Sequence, residues 1–429
     1  MPSFSLQLDK KIILKIFFTQ DAVVNAGAER SHLEILSRFS DQIDVSMVYF
    51  YPKHELRKEY QRAGIRLFFL DIPEPYHFGL AVFRLVKLIR REKPDLLVSC
   101  LWRADMITRM ASWVTGVPLV GTLVNDSYSS LAWKDKVGLK YKLVYWLDRW
   151  TAKIPVHWIA NARALVESHH RTLGLSPNKV TVVYRGREIP VLRSVPARPS
   201  GESPQTGISG SSPGSVSPQT GITGSTLSSQ TGIPIRNFIS YGRLLERKGF
   251  QDAIQAFAKV IPSHPDCTLT IFGEGPYRKE LEKLIEDLEL QNSVFLPGKI
   301  SNPMELLLNG YCPLPTAHCP LFAAHCFLFP SWYEGFSGAL VEAMMAGMPI
   351  IASDIPMNLE AVEDQKSALI FPVGDIEHLE EKMRHAIEHP TWMESLGQEA
   401  RKIAVQKFDI ELIAKQYENT LKEIFQKIK

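Results

Sequence analysis

The sequence predicts an α/β protein built from two doubly wound parallel sheets. Within residues 11–190, short apolar runs alternate with amphipathic helical patterns, which is typical of parallel βαβ units. Residues 236–390 repeat this alternation after a Ser/Gly/Pro-rich interruption. The predicted organisation is a first Rossmann-like domain at 1–195, a flexible linker at 196–235, a second Rossmann-like domain at 236–405 and a last helical stretch at 406–429.

The apolar runs are short and are bounded by polar or turn residues, so they predict strands. In the first domain these strands are expected at 11–18, 44–49, 66–70, 95–100, 118–123, 157–160 and 179–183. In the second domain they are expected at 237–241, 268–272, 293–296, 326–330, 349–352 and 368–371. Helical patterns fall at 27–39, 78–91, 104–114, 139–152, 163–173 and 410–428. Ligands of such sheets bind outside the carboxyl ends of the strands, so the loops that follow strands are the candidate sites.

Composition excludes several classes of protein. A chain of 429 residues with 45% hydrophobic and 22% charged residues is an ordinary soluble chain with room for two large cores. A net charge of +3 does not favour a nucleic-acid partner. No run approaches the roughly 20 apolar residues of a membrane span, and the run at 12–18 contains Lys15, so we expect a cytoplasmic protein. The odd number of cysteines, five, argues against a disulfide framework.

Two carboxylates eight positions apart mark the most informative loop. Glu334 stands beside Gly335, and Glu342 falls about one turn inside a short apolar helix that Ser337 begins and Gly347 ends. A buried carboxylate needs a partner, and the paired hydroxyls of a sugar can supply one. The N-terminus of the helix offers free N–H groups to an anion. Together these features predict a site for a phosphorylated sugar.

The loop belongs to a longer stretch, 330–351, that resembles the donor-site signature of retaining glycosyltransferases of family 4, the group 1 glycosyltransferases with the GT-B fold. Three further segments resemble elements of that family in the same order: 26–30, 241–250 and 272–276. The resemblance implies two facing Rossmann-like domains with the active site in the cleft between them. It also implies that the last helix crosses back onto the first domain.

Roles for individual residues follow from the resemblance. Arg243 and Lys248 match the residues that bind the donor diphosphate, Glu334 matches the contact to the transferred sugar, and Glu342 matches the ribose contact. The other predicted donor-binding residues come from the same motifs: Gly27, Gly242, Gly275, Gly335, Phe336, Ser337 and Gly338. Each has a structural alternative, namely an exposed basic loop for the cations, an ion pair for each carboxylate, and an ordinary turn for Gly27.

Two segments depart from the family pattern. Many members carry a His after about the fifth strand, but residues 121–127 contain none, so Asn125 or Asp126 is expected at that place, facing the sugar or the acceptor. Residues 184–188 carry Arg185 and Arg187 where many relatives have an Asn-Gly pair. Either arginine faces an anion in the cleft, or both pack at the entry to the linker.

The resemblance also implies the chemistry. We expect a retaining, metal-independent transfer from a UDP- or GDP-sugar, without a cofactor, to a glycan or lipid-linked acceptor. The basic stretch 84–91 either rests on an anionic membrane as a peripheral contact or packs as an ordinary helix on the sheet. Two other functions stay open: a sugar-nucleotide epimerase, and a catalytically impaired relative that binds the nucleotide-sugar.

Two repeated segments remain ambiguous. Residues 203–208, 217–222 and 229–233 repeat a Ser/Pro/Gln/Thr/Gly/Ile pattern, which indicates either a duplicated linker or a docking segment. Residues 312–326 contain a seven-residue near-repeat with three Cys and two His. It is either a zinc site or an insertion near 309–322 that arose by duplication; we expect the insertion and no metal.

Overall fold

The structure is a computed structural model that describes residues 13–74, 77–134, 136, 138–190, 234–300, 302–309 and 325–429. The repeat linker, except for Pro234 and Ile235, lies outside these residues. So does almost all of the insertion predicted near 309–322.

The first half of the described chain forms a seven-stranded parallel sheet in the order β3-β2-β1-β4-β5-β6-β7. Its strands are β1 (Leu14–Gln20), β2 (Ile43–Tyr49), β3 (Arg66–Phe69), β4 (Leu96–Ser99), β5 (Leu119–Leu123), β6 (His157–Ala160) and β7 (Val180–Val182). The strand order reverses between β1 and β4, which run parallel, and this leaves a crevice at the carboxyl edge of these two strands.

The second half forms a six-stranded parallel sheet in the order β10-β9-β8-β11-β12-β13. Its strands are β8 (Asn237–Tyr241), β9 (Thr268–Phe272), β10 (Val294–Gly298), β11 (Cys326–Phe329), β12 (Ile350–Ser353) and β13 (Leu369–Phe371). The order repeats that of the first sheet, with the reversal between β8 and β11. The predicted pair of doubly wound sheets is confirmed, and each predicted strand has its counterpart.

Helices connect the strands of both sheets. Those of the first half are α1 (Gly27–Leu36), α2 (Arg57–Arg62), α3 (Phe78–Glu92), α4 (Trp102–Thr115), α5 (Ser130–Trp133), α6 (Leu139–Thr151) and α7 (Arg163–Leu173). Those of the second half are α8 (Phe250–Val260), α9 (Arg278–Asp287), α10 (Pro303–Asn309), α11 (Gly338–Ala346), α12 (Pro356–Leu359), α13 (Ile376–Glu388), α14 (Pro390–Lys407) and α15 (Ile410–Ile428). The short helices α2 and α5 were not predicted, because one turn leaves little periodicity to read.

The last helix packs against the first sheet. Ile413, Tyr417 and Leu421 of α15 join the core that contains Ile16 and Phe18 of β1. The chain is pinned where it crosses over, because the Arg187 N–H donates to the Phe408 carbonyl (2.9 Å) and the Ile410 N–H donates to the Arg187 carbonyl (3.0 Å). A continuous core extends between the two halves, so they contact each other through buried side chains.

The basic helix α3 packs on the first sheet. Leu85, Leu88 and Ile89 are buried in the core beside β1 and β4. Arg84 turns back to the protein and donates to the Leu70 carbonyl (2.7 Å). The structural alternative for residues 84–91 is therefore the one observed.

Candidate active site

The carboxyl edges of the two sheets meet at Asn161, the residue that follows β6. Its side-chain oxygen accepts a hydrogen bond from the Phe336 N–H (3.2 Å), and its amide nitrogen donates to the Val124 carbonyl (3.4 Å). Gly335 lies so close that a Cβ there would stand 1.8 Å from the Val124 oxygen. Only glycine fits at that position, so the donor loop can approach the first domain directly.

Glu334 lies at the centre of a charged cluster within the second domain. Its carboxylate forms ion pairs with Lys248 and with Arg247, the latter at 3.2 Å. Ser331 adds a hydrogen bond to the same oxygen at 3.4 Å. Both cations stand on the short 3₁₀ turn Glu246–Lys248 that follows β8, so two strand-ending loops converge on one carboxylate.

The balance of burial and charge keeps Glu334 ionised. Burial acts to raise the pKa of this carboxyl, but the neighbouring charges of Lys248, Arg247 and Arg185 outweigh burial and hold the pKa below its usual value of 4.5. The result is a fixed negative charge in the cleft at neutral pH.

Glu342 is held from both domains. Arg187 Nε donates to one carboxylate oxygen (2.5 Å), and the Tyr241 hydroxyl donates to the other (2.7 Å). Arg187 also pairs with Glu34 of α1 at 3.1 Å. A Cβ on Gly338 would stand 1.9 Å from the Arg187 guanidinium, so a side chain at the start of α11 would displace Arg187 from this position.

Their surroundings keep Arg187 charged and Tyr241 protonated. Burial alone lowers the pKa of Arg187, but Glu342 and Glu34 reverse that effect and raise it. Burial and the adjacent Glu342 charge raise the pKa of Tyr241 well above 10, so its hydroxyl stays a donor. Both carboxylates therefore make ion pairs in this structure, Glu342 with Arg187 and Glu334 with Lys248 and Arg247.

Arg243 and Arg185 differ from Arg187 and Arg247 in having no carboxylate paired with them among the described residues. Arg243 follows β8 and is exposed, and neither it nor Arg185 has an ion-pair partner among the described residues. Burial, then repulsion from Arg187, lowers the pKa of Arg185 to about 10, so it is still charged at neutral pH. Arg185 Nη1 lies 3.5 Å from the place of a Cβ on Gly27, at the start of α1.

Glu29 of α1 lies within electrostatic range of both arginines. Burial raises the pKa of the Glu29 carboxyl, and the charges of Arg185 and Arg243 act in the opposite direction. One arginine belongs to the first domain and the other to the second, so both are close enough to α1 to act on the same carboxyl. The cleft therefore carries positive charge from both walls.

Two of the remaining predicted glycines shape the strand-ending loops. Lys248 Nζ lies 3.6 Å from the place of a Cβ on Gly242, an ordinary contact distance, so the lysine packs over the turn that follows β8. A Cβ on Gly275 would stand 2.2 Å from the Leu244 carbonyl, which makes Gly275 a packing requirement of the loop.

Other predicted residues lie less directly at the centre. Asn125 is exposed at the end of the β5 loop. The Asp126 carboxylate accepts a hydrogen bond from Ser168 of α7 (2.6 Å), which holds it to the first domain. The Phe336 N–H is already used by Asn161, and its ring packs between Tyr184 and Phe408. Ser337 begins α11, but its side chain makes no capping hydrogen bond.

Three residues of the site were not predicted. Asn161 and Tyr241 stand at or just after the carboxyl ends of β6 and β8, and that position was the available signal for both. Arg247 directly precedes Lys248 in the sequence, and a second cation beside a predicted phosphate ligand was the available signal for it.

The described residues contain neither a metal-binding cluster nor a membrane-spanning helix. Among the described residues, no group of three or more His, Cys, Asp or Glu gathers where a metal ion would be held. No helix in the described part of the chain is long and apolar enough to cross a membrane. The Cys/His near-repeat falls mostly outside these residues, and its last member, Cys326, is buried in β11.

Family models match both halves of the chain. The model described as "Glycosyl transferases group 1" matches residues 235–403, and the model described as "Glycosyltransferase Family 4" matches residues 25–189. The matches cover the second sheet, the first sheet apart from β1, and the loops that carry Glu334, Arg243 and Lys248. The chain belongs to the group 1 glycosyltransferases.

Curated relatives are distant and match in part. A glycosyltransferase of Methanocaldococcus jannaschii, described as uncharacterized, is 24% identical over 299 residues, which is 65% of this chain and 60% of that protein. An exopolysaccharide phosphotransferase of Streptomyces coelicolor is 30% identical over 198 residues, 46% of this chain and 19% of that protein. A poly(glycerol-phosphate) alpha-glucosyltransferase of Bacillus subtilis is 27% identical over 163 residues, 38% and 22% of the two chains. The chain thus spans less than two thirds of the length of each.

Solved structures share the whole fold. HepE of Anabaena, crystallised with UDP-glucose, superposes with a TM-score of 0.72 at 21% identity, over 96% of this chain and 100% of HepE. TarM of S. aureus, in complex with Fondaparinux, alpha-GlcNAc-glycerol and UDP, gives a TM-score of 0.70 at 14% identity, over 96% and 100% of the chains. These likenesses establish the GT-B architecture of two facing Rossmann-like domains.

Proposed function

We propose that the chain transfers a sugar from a nucleoside diphosphate sugar, a UDP- or GDP-sugar, to a hydroxyl of a glycan or lipid-linked acceptor, with retention of configuration. The observation that carries this proposal is the pair Arg185 and Arg243, which bring positive charge to the cleft from its two walls without ion-pair partners among the described residues. A dianionic diphosphate is the ligand that such a site favours. The complexes of HepE with UDP and with UDP-glucose support a uridine donor.

Each residue of the site has its own role in this proposal. Arg243 and Lys248 bind the diphosphate and stabilise the charge that grows on it as the sugar leaves. Glu334, ionised and fixed, accepts hydrogen bonds from the transferred sugar. Glu342 faces the ribose, with Arg187 and Tyr241 fixing the direction of its carboxylate. The N-terminus of α11 adds backbone donors, because the N–H groups of Ser337 and Gly338 have no hydrogen-bond acceptor among the described residues.

The chemical step is balanced without an added base. The bond between the anomeric carbon and the diphosphate oxygen breaks, and its electron pair leaves with the nucleoside diphosphate. The acceptor hydroxyl attacks from the face that the diphosphate leaves, and its proton passes to a phosphate oxygen. Retention follows from this shared face. Arg243 and Lys248 supply fixed positive charge at the leaving group, so the proposed transfer is metal-independent.

The alternative is a catalytically impaired relative that binds the nucleotide-sugar. It is favoured by the ion pair between Lys248 and Glu334, in which two predicted catalytic groups neutralise each other, and by the missing His at residues 121–127. This alternative predicts nucleotide binding without turnover.

A donor screen with an anomer assay tests the proposal. Thermal unfolding is first measured with UDP-, GDP- and ADP-sugars, since a ligand that binds the folded state raises the unfolding temperature. The stabilising donor is then incubated with the protein, with and without EDTA, while proton NMR records the first anomer released by slow hydrolysis. The proposal predicts stabilisation by one nucleotide class and release of the donor's own anomer in both conditions. Release of the inverted anomer contradicts retention, and stabilisation without any release supports the impaired relative.

A further inference from the structure

Helix α6 packs against α4 and α7, and its polar face is turned inward. Asp148 accepts a hydrogen bond from the buried Arg109 (2.5 Å) and another from the Tyr128 hydroxyl. Thr151 accepts from the same guanidinium (3.0 Å). The inward side of the helix is therefore held by a buried ion pair.

The opposite side of α6 is apolar and faces solvent. Leu139, Leu143, Trp146 and Trp150 recur at spacings of four, three and four residues, which places them along one line of the helix. Between 63% and 82% of each side chain is exposed. A stripe with this period is the face that a helix of a globular protein normally buries. We call these four residues the α6 stripe.

The charges beside the α6 stripe share one sign. Lys140 lies on one flank of it, and Lys142 and Lys153 lie on the other, all three exposed. Between residues 138 and 153 Asp148 is the single acidic residue, and it is buried against Arg109. A second copy of the chain would bring a matching set of lysines against these, so charge argues against a dimer through this face.

We propose that the α6 stripe docks on an anionic lipid surface. Tryptophan and leucine enter the headgroup boundary, where the amphipathic indole ring is favoured, while the flanking lysines contact anionic headgroups. The proposal differs from the expectation for residues 84–91, because α3 uses its apolar residues in the core.

The position of α6 connects the docked surface to the cleft. The helix links β5 to β6, so its N-terminal end lies at the carboxyl edge of the first sheet. That edge is where Val124 and Asn161 meet the second domain. Docking through α6 turns the first-domain rim of the cleft toward the lipid.

Vesicle sedimentation of the full chain tests the proposal. The probe is vesicles of equal parts phosphatidylcholine and phosphatidylglycerol, with pure phosphatidylcholine as the comparison. Trp146→Glu with Trp150→Glu should lower partitioning about 100-fold, since each large apolar side chain contributes about tenfold or more. Lys140→Glu with Lys142→Glu should remove the preference for anionic vesicles. The matched control is Phe83→Glu, which alters a side chain on α3 that is 65% exposed.

The outcomes separate the alternatives. Loss of binding in the tryptophan variant, with Phe83→Glu unchanged and both proteins unfolding at the wild-type temperature, supports the proposal. Equal loss in Phe83→Glu would overturn it, and so would unchanged binding in the tryptophan variant or no binding by the wild type. A concentration-dependent dimer that only the tryptophan variant loses would assign the stripe to a second copy and also overturn the proposal. Nucleotide binding in the cleft is measured separately, so failure here leaves the proposed function untouched.

Discussion

Glu334 and Glu342 stand eight residues apart on one loop and helix, yet different parts of the molecule hold them. The cations that pair with Glu334, Lys248 and Arg247, lie in its own domain. The cation that pairs with Glu342, Arg187, comes from the other domain and also holds Glu34. The first cluster is therefore local to the donor loops, whereas the second joins the two halves of the molecule.

The two clusters should therefore have different roles, with Glu334 acting in the proposed reaction and Arg187 in the contact between the domains. Changes at Glu334 should alter the reaction with little effect on how the domains meet. Changes at the Arg187 network should lower the stability of the fold. They should affect the site only indirectly, by altering how the two domains are positioned. Arg185 and Arg187 come from the same loop, 184–188. Arg185 is assigned to the proposed donor site, whereas Arg187 joins the two domains, so near neighbours in the sequence have different roles.

The largest expected effect is on catalysis at the local cluster. Glu334→Gln keeps the shape of the side chain but removes the charge that pairs with Lys248 and that, in the proposed function, contacts the transferred sugar. We expect kcat/KM to fall by about 100-fold to 1,000-fold, as for removal of one group that stabilises a transition state. Steady-state kinetics with the donor found by the screen measures this. The control is Glu246→Gln, which alters an exposed carboxylate on the turn that carries Lys248. A loss of similar size in both variants would show that Glu334 has no special part in the reaction.

The next effect is on stability at the joining cluster. Arg187→Gln leaves Glu342 and Glu34 without their shared cation, and breaking a buried pair in this way costs about 3 kcal/mol of unfolding free energy. Chemical denaturation measures the loss. Arg185→Gln is the matched control on the same loop, because Arg185 has no ion-pair partner among the described residues and its removal relieves a buried charge. If the two variants lost equal stability, Arg187 would not be the joining residue.

A smaller effect distinguishes the two arginines in binding. Arg185→Gln should weaken UDP binding about tenfold, the loss expected for one charge-assisted hydrogen bond to a phosphate. Its unfolding free energy should stay within about 1 kcal/mol of the wild type. Calorimetric titration of UDP measures the affinity. Unchanged affinity in this variant would remove Arg185 from the site.

The smallest effect is a pH dependence at Glu334. Because its pKa lies below 4.5 in the folded chain, the ion pairs of Glu334 contribute stability that is fully present above the unfolded value and is lost as pH falls through the folded one. The difference in unfolding free energy between wild type and Glu334→Gln should therefore shrink below about pH 4.5. Denaturation across an acidic pH series measures it, and a difference that grows on acidification would contradict the direction of the shift.

The sequence predicted most of the fold because its signals are local. Apolar runs with polar ends predicted the strands, and the loops after them predicted where Glu334, Arg243 and Lys248 would lie. Contacts between residues far apart in the sequence could not be predicted in this way. Arg187 and Glu342 are 155 positions apart, so no spacing rule connects them, and their contact depends on how the two domains pack.

The orientation of α6 could not be predicted from the sequence for the same reason. Its periodicity predicted a helix at 139–152, and the observed helix is Leu139–Thr151. Periodicity alone does not say which face is inward, and the usual assumption buries the apolar one. The buried Arg109–Asp148 pair, 39 residues apart in sequence, fixes the opposite orientation.

The most direct test of the proposed donor site is a calorimetric titration of UDP into the wild type and into Arg243→Gln. Arg243 is exposed and has no ion-pair partner among the described residues, so its loss should leave the fold intact. Arg171→Gln, an exposed arginine on α7, is the control. We expect saturable binding of one UDP per chain, weakened about tenfold in Arg243→Gln and unchanged in Arg171→Gln. Absence of binding by the folded wild type, or equal affinity in all three proteins, would contradict a nucleoside diphosphate site in this cleft.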